Sequence, residues 1–299
     1  MPILNAIDAR AETARRAVSA GALGFARGRI GTAARALAVG VAMIAAACVP
    51  ADDAELVPRS TMFIGVDVSG SFQKGGRYDD ALAFAAHYIH AHLNGLGELE
   101  QPRALFVASI GGEVPGQPQS FHPIHDFEGK GVPEIEADMR AWFPPNDIYT
   151  DFSSFFRRAA ALVKRQNLSL APVTLVLLTD GVPDVGGGAA RPANEAERYA
   201  RIDMDALEYL ARNVTVRVLY PDPTVAVRWE RDVPRNRVRM WTVDAKVMEG
   251  WREQLRTTDS SPARADILPD AGRGEVAGQP DLWRWIRDNV DFRVRRTVL

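Results

Sequence analysis

From residue 61 onward the chain switches repeatedly between two hydrophobic periods. "TMFIGVDV" is a continuous apolar run, the pattern of a strand covered on both faces. Tyr78 to Leu93 sets Leu82, Ala86, Ile89 and Leu93 on one helical stripe. "RALFVASI" (Arg103 to Ile110) predicts a second strand and "GGEVPGQPQ" a turn-rich break. "SFHPIHDF" predicts an edge strand, where the missing N–H of Pro123 is tolerated. Val132 to Trp142 reads as a short helix stopped by Pro144-Pro145. Asp151 to Arg165 reads as a stronger one, with Phe152, Phe155, Phe156, Ala159, Leu162 and Val163 at helical spacing. "PVTLVLLTD" (Pro172 to Asp180) is the most strand-like run. A helix within Glu195 to Arg212, strands at Val214 to Tyr220 and Arg237 to Val243, and helices near Lys246 to Leu255 and Asp281 to Val290 follow. Between Tyr220 and Arg237, "TVAVRWERDVPRN" predicts an extra strand or hairpin and no helix.

This alternation implies an α/β fold: a doubly wound, mainly parallel open sheet flanked by helices, with one antiparallel edge strand. Sheets of that kind bind ligands beyond the carboxyl ends of their strands, near the point where strand order reverses. Asp67 and Asp180 both end strands there. The expected main domain is 61–256, and 257–299 is a C-terminal extension with a helix packing on it.

The first fifth of the chain has a different pattern. Residues 1–35 are rich in Ala and Arg, and "ALAVGVAMIAAAC" (Ala36 to Cys48) carries no charge. That run is shorter than the roughly 20 residues needed to span a bilayer, and it suits the apolar core of a secretory signal. Ala45-Ala46-Ala47-Cys48 resembles the lipobox of bacterial lipoproteins, which implies lipidation at Cys48 and a location in the bacterial cell envelope facing the periplasm or exterior. A plain signal peptide, an uncleaved inner-membrane signal anchor, or a buried helix are the other readings. Residues 1–47 are then the targeting segment and 48–60 a polar tether.

Composition narrows the choice of partner. Of 299 residues, 25% are charged and the formal net charge is -2, which provides no electrostatic footprint for nucleic acid. Cys48 is the only cysteine, so no internal disulfide forms.

The chemistry centres on "FIGVDVSGSF", with Asp67, Ser69 and Ser71 at alternate positions. A phosphate cradle needs a closing Lys-Ser/Thr, which "GSFQKGGR" lacks. A strained nucleophile elbow reads G-x-S-x-G, which Ser69 does not fit, and an aspartyl-phosphate enzyme needs a second acid where Ser69 stands. His87, His90 and His92 share one helix and His122 and His125 one short segment; all five are expected to face solvent. The metal reading uses more residues. Alternate positions leaving a strand point the same way, so three oxygens converge. Hard divalent cations prefer oxygen ligands, and hydroxyls coordinate without adding charge.

At this point the chain resembles the von Willebrand factor type A domain. Its metal-ion-dependent adhesion site reads D-x-S-x-S after the first strand, then a threonine ahead of a helix, then an aspartate ending the fourth strand. Asp67-Val68-Ser69-Gly70-Ser71, Thr150 in "IYTDFSSFF" and Asp180 in "LLTDG" match in that order. The resemblance implies a site for Mg2+ (with Mn2+ or Ca2+ as substitutes) held by Ser69, Ser71 and Thr150, with Asp67 and Asp180 acting through water. It also implies a protein partner that offers an Asp or Glu. A Mg2+-assisted hydrolase and a scaffold with a purely structural metal are the alternatives; no motif places a general base. Asp151 and Asp184 are candidates for tuning the rim of the site. Against all this, Asp67 and Asp180 can be turn-capping residues and Thr150 a helix cap. Trp229, Trp241, Trp251, Trp283 and Trp285 read as packing residues.

Overall fold

Six strands build one sheet: β1 (Thr61–Val66), β2 (Ala104–Ser109), β3 (His122–Pro123), β4 (Val173–Leu178), β5 (Val214–Leu219) and β6 (Arg239–Val243). Their order is β3-β2-β1-β4-β5-β6, all parallel except β3, which runs antiparallel at the β2 edge. This is the expected doubly wound architecture. The computed structural model describes residues 59–111, 120–145, 149–184, 192–210, 213–256 and 280–292. The targeting segment with Cys48, nearly all of the tether and of the "GGEVPGQPQ" break, and most of the stretch after 256 lie outside the described residues.

Ten α-helices accompany the strands among the described residues: α1 (Gly70–Lys74), α2 (Tyr78–Leu93), α3 (Val132–Trp142), α4 (Phe152–Arg165), α5 (Glu195–Ala200), α6 (Asp205–Glu208), α7 (Pro223–Asp232), α8 (Ala245–Glu249), α9 (Trp251–Arg256) and α10 (Pro280–Asn289). Side chains alternate across the sheet, so each strand feeds two cores. Met62, Ile64 and Val66 of β1 pack with α1, α2, α3, α9 and α10 on one face. Phe63 of β1 and Leu175 and Leu177 of β4 pack with α4, α5, α6 and α7 on the other. Both faces are covered, which is why β1, β2 and β4 read as unbroken apolar runs.

Several expectations need correcting. The segment 224–236 is not a hairpin, because α7 occupies most of it. Its valines and tryptophan favour strands, but Pro223 opens the first turn with its φ already helical, and the burial of Ala226 and Trp229 gives the segment an inner face. A parallel crossover from β5 to β6 also needs an element lying on the sheet. The single helix expected within 195–212 is two short ones, α5 and α6, and the helix after β6 is divided into α8 and α9 at Gly250. Among the tryptophans, Trp229, Trp251 and Trp283 are buried.

The histidines do not all face solvent. His92, in the last turn of α2, is buried; its Nδ1 lies 2.8 Å from the Glu100 carbonyl and its Nε2 3.0 Å from Asp291. The cover comes from the chain after α10. Asp291 also accepts the Tyr88 hydroxyl at 2.8 Å and lies 3.6 Å from Arg217 Nε. Arg217, in the middle of β5, donates to the carbonyls of Val290 and Phe292. Burial works to raise the Asp291 carboxyl, but its bond to His92, the charges of His92 and Arg217 and the Tyr88 bond outweigh it and hold it below the ordinary carboxylate range.

Candidate metal centre

The strand order turns back between β1 and β4, whose carboxyl ends lie side by side: Val66 pairs with Leu178, and Asp67 N–H donates to the Leu178 carbonyl at 2.9 Å. Asp67 therefore leaves the sheet at its switch point, where the last strand carbonyls meet a gap between crossovers.

What happens next differs from simple strand alternation. The chain does not continue extended; it folds back on Asp67. The Ser69 N–H donates to Asp67 Oδ1 at 2.9 Å, an Asx turn that ends the strand. Ser69 then has extended backbone angles and its carbonyl receives Gln73 N–H at 3.1 Å, which opens α1. Ser69 makes no side-chain cap bond, so its hydroxyl remains available and meets the Ser71 hydroxyl at 3.1 Å. The two serine oxygens converge through a turn into a helix.

Thr150 arrives from the other side of the switch point. The N-cap of α4 is Asp151, whose Oδ1 accepts Ser154 N–H at 2.9 Å, so Thr150 is not the helix cap. The Thr150 hydroxyl donates to Asp67 Oδ1 at 3.3 Å. Its backbone is clasped by Asp184: Thr150 N–H donates to Asp184 Oδ2 at 2.8 Å, and Asp184 N–H to the Thr150 carbonyl at 3.2 Å. Asp184 is thus a rim residue that acts on the backbone of Thr150, whereas Asp151 serves its own helix.

Asp180 stands two residues beyond β4. One of its oxygens caps a turn by accepting Val182 N–H at 3.0 Å, and its charge reaches Asp67. The Asp67 carboxyl is pushed up to about 6 by burial; the charge of Asp180 adds to this, and bonds from Thr179 and Ser69 oppose it. Exposure is graded across the group: Asp67, Thr150 and Ser69 are buried (1%, 2% and 4% exposed), Asp180 is half-buried, and Ser71 is open to solvent.

Two residues outside the motif matter. Thr179, fully buried, donates to Asp67 Oδ2 at 2.5 Å and accepts Gly181 N–H at 2.9 Å, so it fixes the carboxylate and the Asp180 loop together. Its only sequence signal is its place in "LLTDG", where a β-branched residue reads as more strand. Gly111, just beyond β2, has no room for a side chain: an added methyl would overlap the Tyr149 carbonyl and stand 3.5 Å from Thr150 Cα. That close approach lets the 149–150 segment settle over the end of β2.

The donor set suits a hard divalent cation: carboxylates and hydroxyls only, with neutral Ser69, Ser71 and Thr150 beside two acids. Among the described residues no trio of His, Cys, Asp or Glu forms a metal site, so any cation here depends on hydroxyl ligands. The second carboxylate close to buried Asp67 is an excess of negative charge that a cation would relieve.

No family model matches the chain, and no curated protein matches it. Solved structures do. The open conformation of the pilus adhesin SpaC from Lactobacillus rhamnosus GG is 13% identical over 67% of this chain and 30% of that chain, with a TM-score of 0.42. The VWA domain of SpRpn10 is 13% identical over 63% of this chain and 89% of that one, with a TM-score of 0.39. Proximal thread matrix protein 1 from the mussel byssus, with a zinc-occupied MIDAS motif, is 12% identical over 66% of this chain and 46% of that one, with a TM-score of 0.36. This chain matches about a third of the length of SpaC and less than half of the thread matrix protein. The structures similar to it thus include von Willebrand factor type A domains.

Proposed function

We propose that the chain carries a divalent-cation adhesion site of the von Willebrand factor type A kind and binds a partner protein through an acidic side chain. The supporting observation is the meeting of Asp67, Ser69 and Ser71 from one segment with Thr150 from a second at the switch point of the sheet. Ser69, Ser71 and Thr150 would hold Mg2+, or Mn2+ or Ca2+ in its place, with Asp67 and Asp180 completing the set. When bound, the cation supplies a hard electrophilic position for a carboxylate oxygen.

The protein's own residues do the rest. Asp67 holds the Ser69 amide and the Thr150 and Thr179 hydroxyls in one cluster. The exposed Ser71 leaves the outer side of the cluster open to an incoming side chain. The amino end of α4, beginning at Phe152, lies next to Thr150 and adds a positive dipole end that favours an anion. With Cys48 lipidated or the upstream segment anchored, this is an adhesion module of the bacterial cell envelope.

The test is capture of envelope proteins by the full chain in Mg2+, with and without chelator. We expect a specific set of partners to be released by chelator and to be lost from Asp67→Ala. Equal capture in all three conditions refutes the mechanism.

A further inference from the structure

The opposite end of the sheet carries a second surface. The amino ends of the five parallel strands lie there, together with the segments that lead into them. Leu170, ahead of β4, is fully exposed, and Tyr209, ahead of β5, is 81% exposed. Exposed cations accompany them along the same end: Arg59 before β1, Arg103 before β2, Lys164 and Arg165 at the end of α4, and Arg237 before β6. None of these five is in an ion pair with a described residue. Acids at this end are largely engaged: Glu98 pairs with Arg287 at 2.7 Å, and Glu208 accepts the N–H groups of Asn236 and Arg237. Glu100 adds one further negative charge.

We propose that this end of the domain docks on an anionic lipid bilayer, with Leu170 and Tyr209 entering the interface and the five cations facing the headgroups. Three observations converge on that occupant. An amphipathic Tyr and an apolar Leu flanked by Lys and Arg suit the headgroup boundary, where each basic side chain near the surface contributes favourably. The formal net charge of -2 does not oppose this, because these five cations are gathered at one end of the sheet. Finally, the chain enters β1 from this same end, since Thr61 N–H bonds to the Pro172 carbonyl and Arg103 N–H to the Ser60 carbonyl. The stretch from Cys48 to Arg59 reaches at most roughly 40 Å when fully extended, so a membrane that holds the upstream segment lies within that distance of this end. Docking there turns the carboxyl ends of β1 and β4, with their oxygen cluster, away from the bilayer and toward a partner. The inference rests on the membrane-attached part of the proposed function but does not depend on the metal.

The test uses the full chain with Cys48→Ser and a single fluorophore at Leu170→Cys or, as the far-end control after β6, at Val247→Cys. Vesicles of phosphatidylcholine with or without phosphatidylglycerol carry a spin-labelled lipid as quencher. On anionic vesicles the label at 170 should be quenched severalfold more than the label at 247. Lys164→Glu/Arg165→Glu/Arg237→Glu, checked for an unchanged circular dichroism spectrum, should weaken binding to anionic vesicles by at least about tenfold. Vesicle retention with equal quenching at the two positions would leave attachment intact and overturn the docking face. No retention on either vesicle overturns the docking face and leaves attachment through Cys48, which this variant lacks, standing. Tighter binding to heparin or RNA than to anionic vesicles at the same salt reassigns the face to another polyanion and also overturns it.

Discussion

Thr150 owes its position to backbone contacts more than to its own side chain. Asp184 grips its N–H and carbonyl, and Gly111 makes room for the carbonyl just before it. Gly111→Ala should therefore push the 149–150 segment outward and weaken Mg2+ binding, measured by titration calorimetry, while the circular dichroism spectrum stays unchanged. Asp184→Ala should do the same by leaving the Thr150 amide unpaired, with a loss of about 10- to 100-fold, as when supports of metal ligands are removed. Unchanged affinity in both variants would mean that Thr150 does not hold the cation. A second residue-scale effect lies in α2. Burial holds the His87 imidazole down at about 4 from 6.5, with His90 and Arg252 acting the same way and Glu136 opposing. Its Nδ1 is buried without a hydrogen-bond partner. The unfolded chain therefore takes up a proton below about 6.5 that the folded one refuses until about 4. Stability falls as pH drops through that window and levels off below it, by at most about 3 kcal/mol from this group. Urea unfolding at pH 7 and pH 4.5 should show a smaller difference in His87→Gln than in the unaltered protein.

At the scale of elements, α7 is where hydrophobic pattern and structure part. Its valines favour a strand, yet Trp229 is fully buried, stands edge-on to Phe152 and donates through Nε1 to the Gly181 carbonyl at 2.7 Å. Gly181 has a left-handed φ of 78°, and a methyl there would come within 2.8 Å of Trp229 Nε1. The helix thus props the loop that carries Asp180. Trp229→Ala should cost about 3–5 kcal/mol in denaturant unfolding. Trp229→Phe, which keeps most of the packing but drops the bond to Gly181, should cost about 1 kcal/mol and still lower Mg2+ affinity. A Phe variant with unaltered affinity would show that α7 supports the core and not the site. The elements nearest the motif were more legible: α2, α3 and α4 match their expected bounds almost to the residue, α3 and α4 because their burial repeats with the helical period and α2 as a long apolar helix buried on nearly every side. The Asp67 turn was legible as chemistry but not as geometry, since an Asx turn and a new helix give the serines their convergence.

The whole molecule is closed by its C-terminal end. Leu282, Trp283, Ile286 and Val290 are buried against the α2 face, and Arg217 has its partners in Asp291 and the carbonyls of Val290 and Phe292. A charge in the middle of β5 is tolerated only while that cover stays, because an unpaired buried cation is strongly destabilising. Removing residues 280–299 should give an insoluble chain or a midpoint of thermal unfolding lower by roughly 10 °C or more. An unchanged midpoint would mean that Arg217 is satisfied without α10.

Local pattern alone determined the succession of strands and helices outside 223–232, the carboxyl-end location of Asp67 and Asp180, and the order of the oxygen-bearing segments. Periodicity and turn chemistry act within a few residues, so they survive in the linear text. Tertiary structure alone decided that 223–232 is a helix, that His92 is buried, and that Thr179, Gly111 and Asp184 hold the cluster together. Each of those outcomes depends on which distant backbone or charge comes close enough to exclude water or accept a hydrogen bond, and no spacing along the chain records that distance.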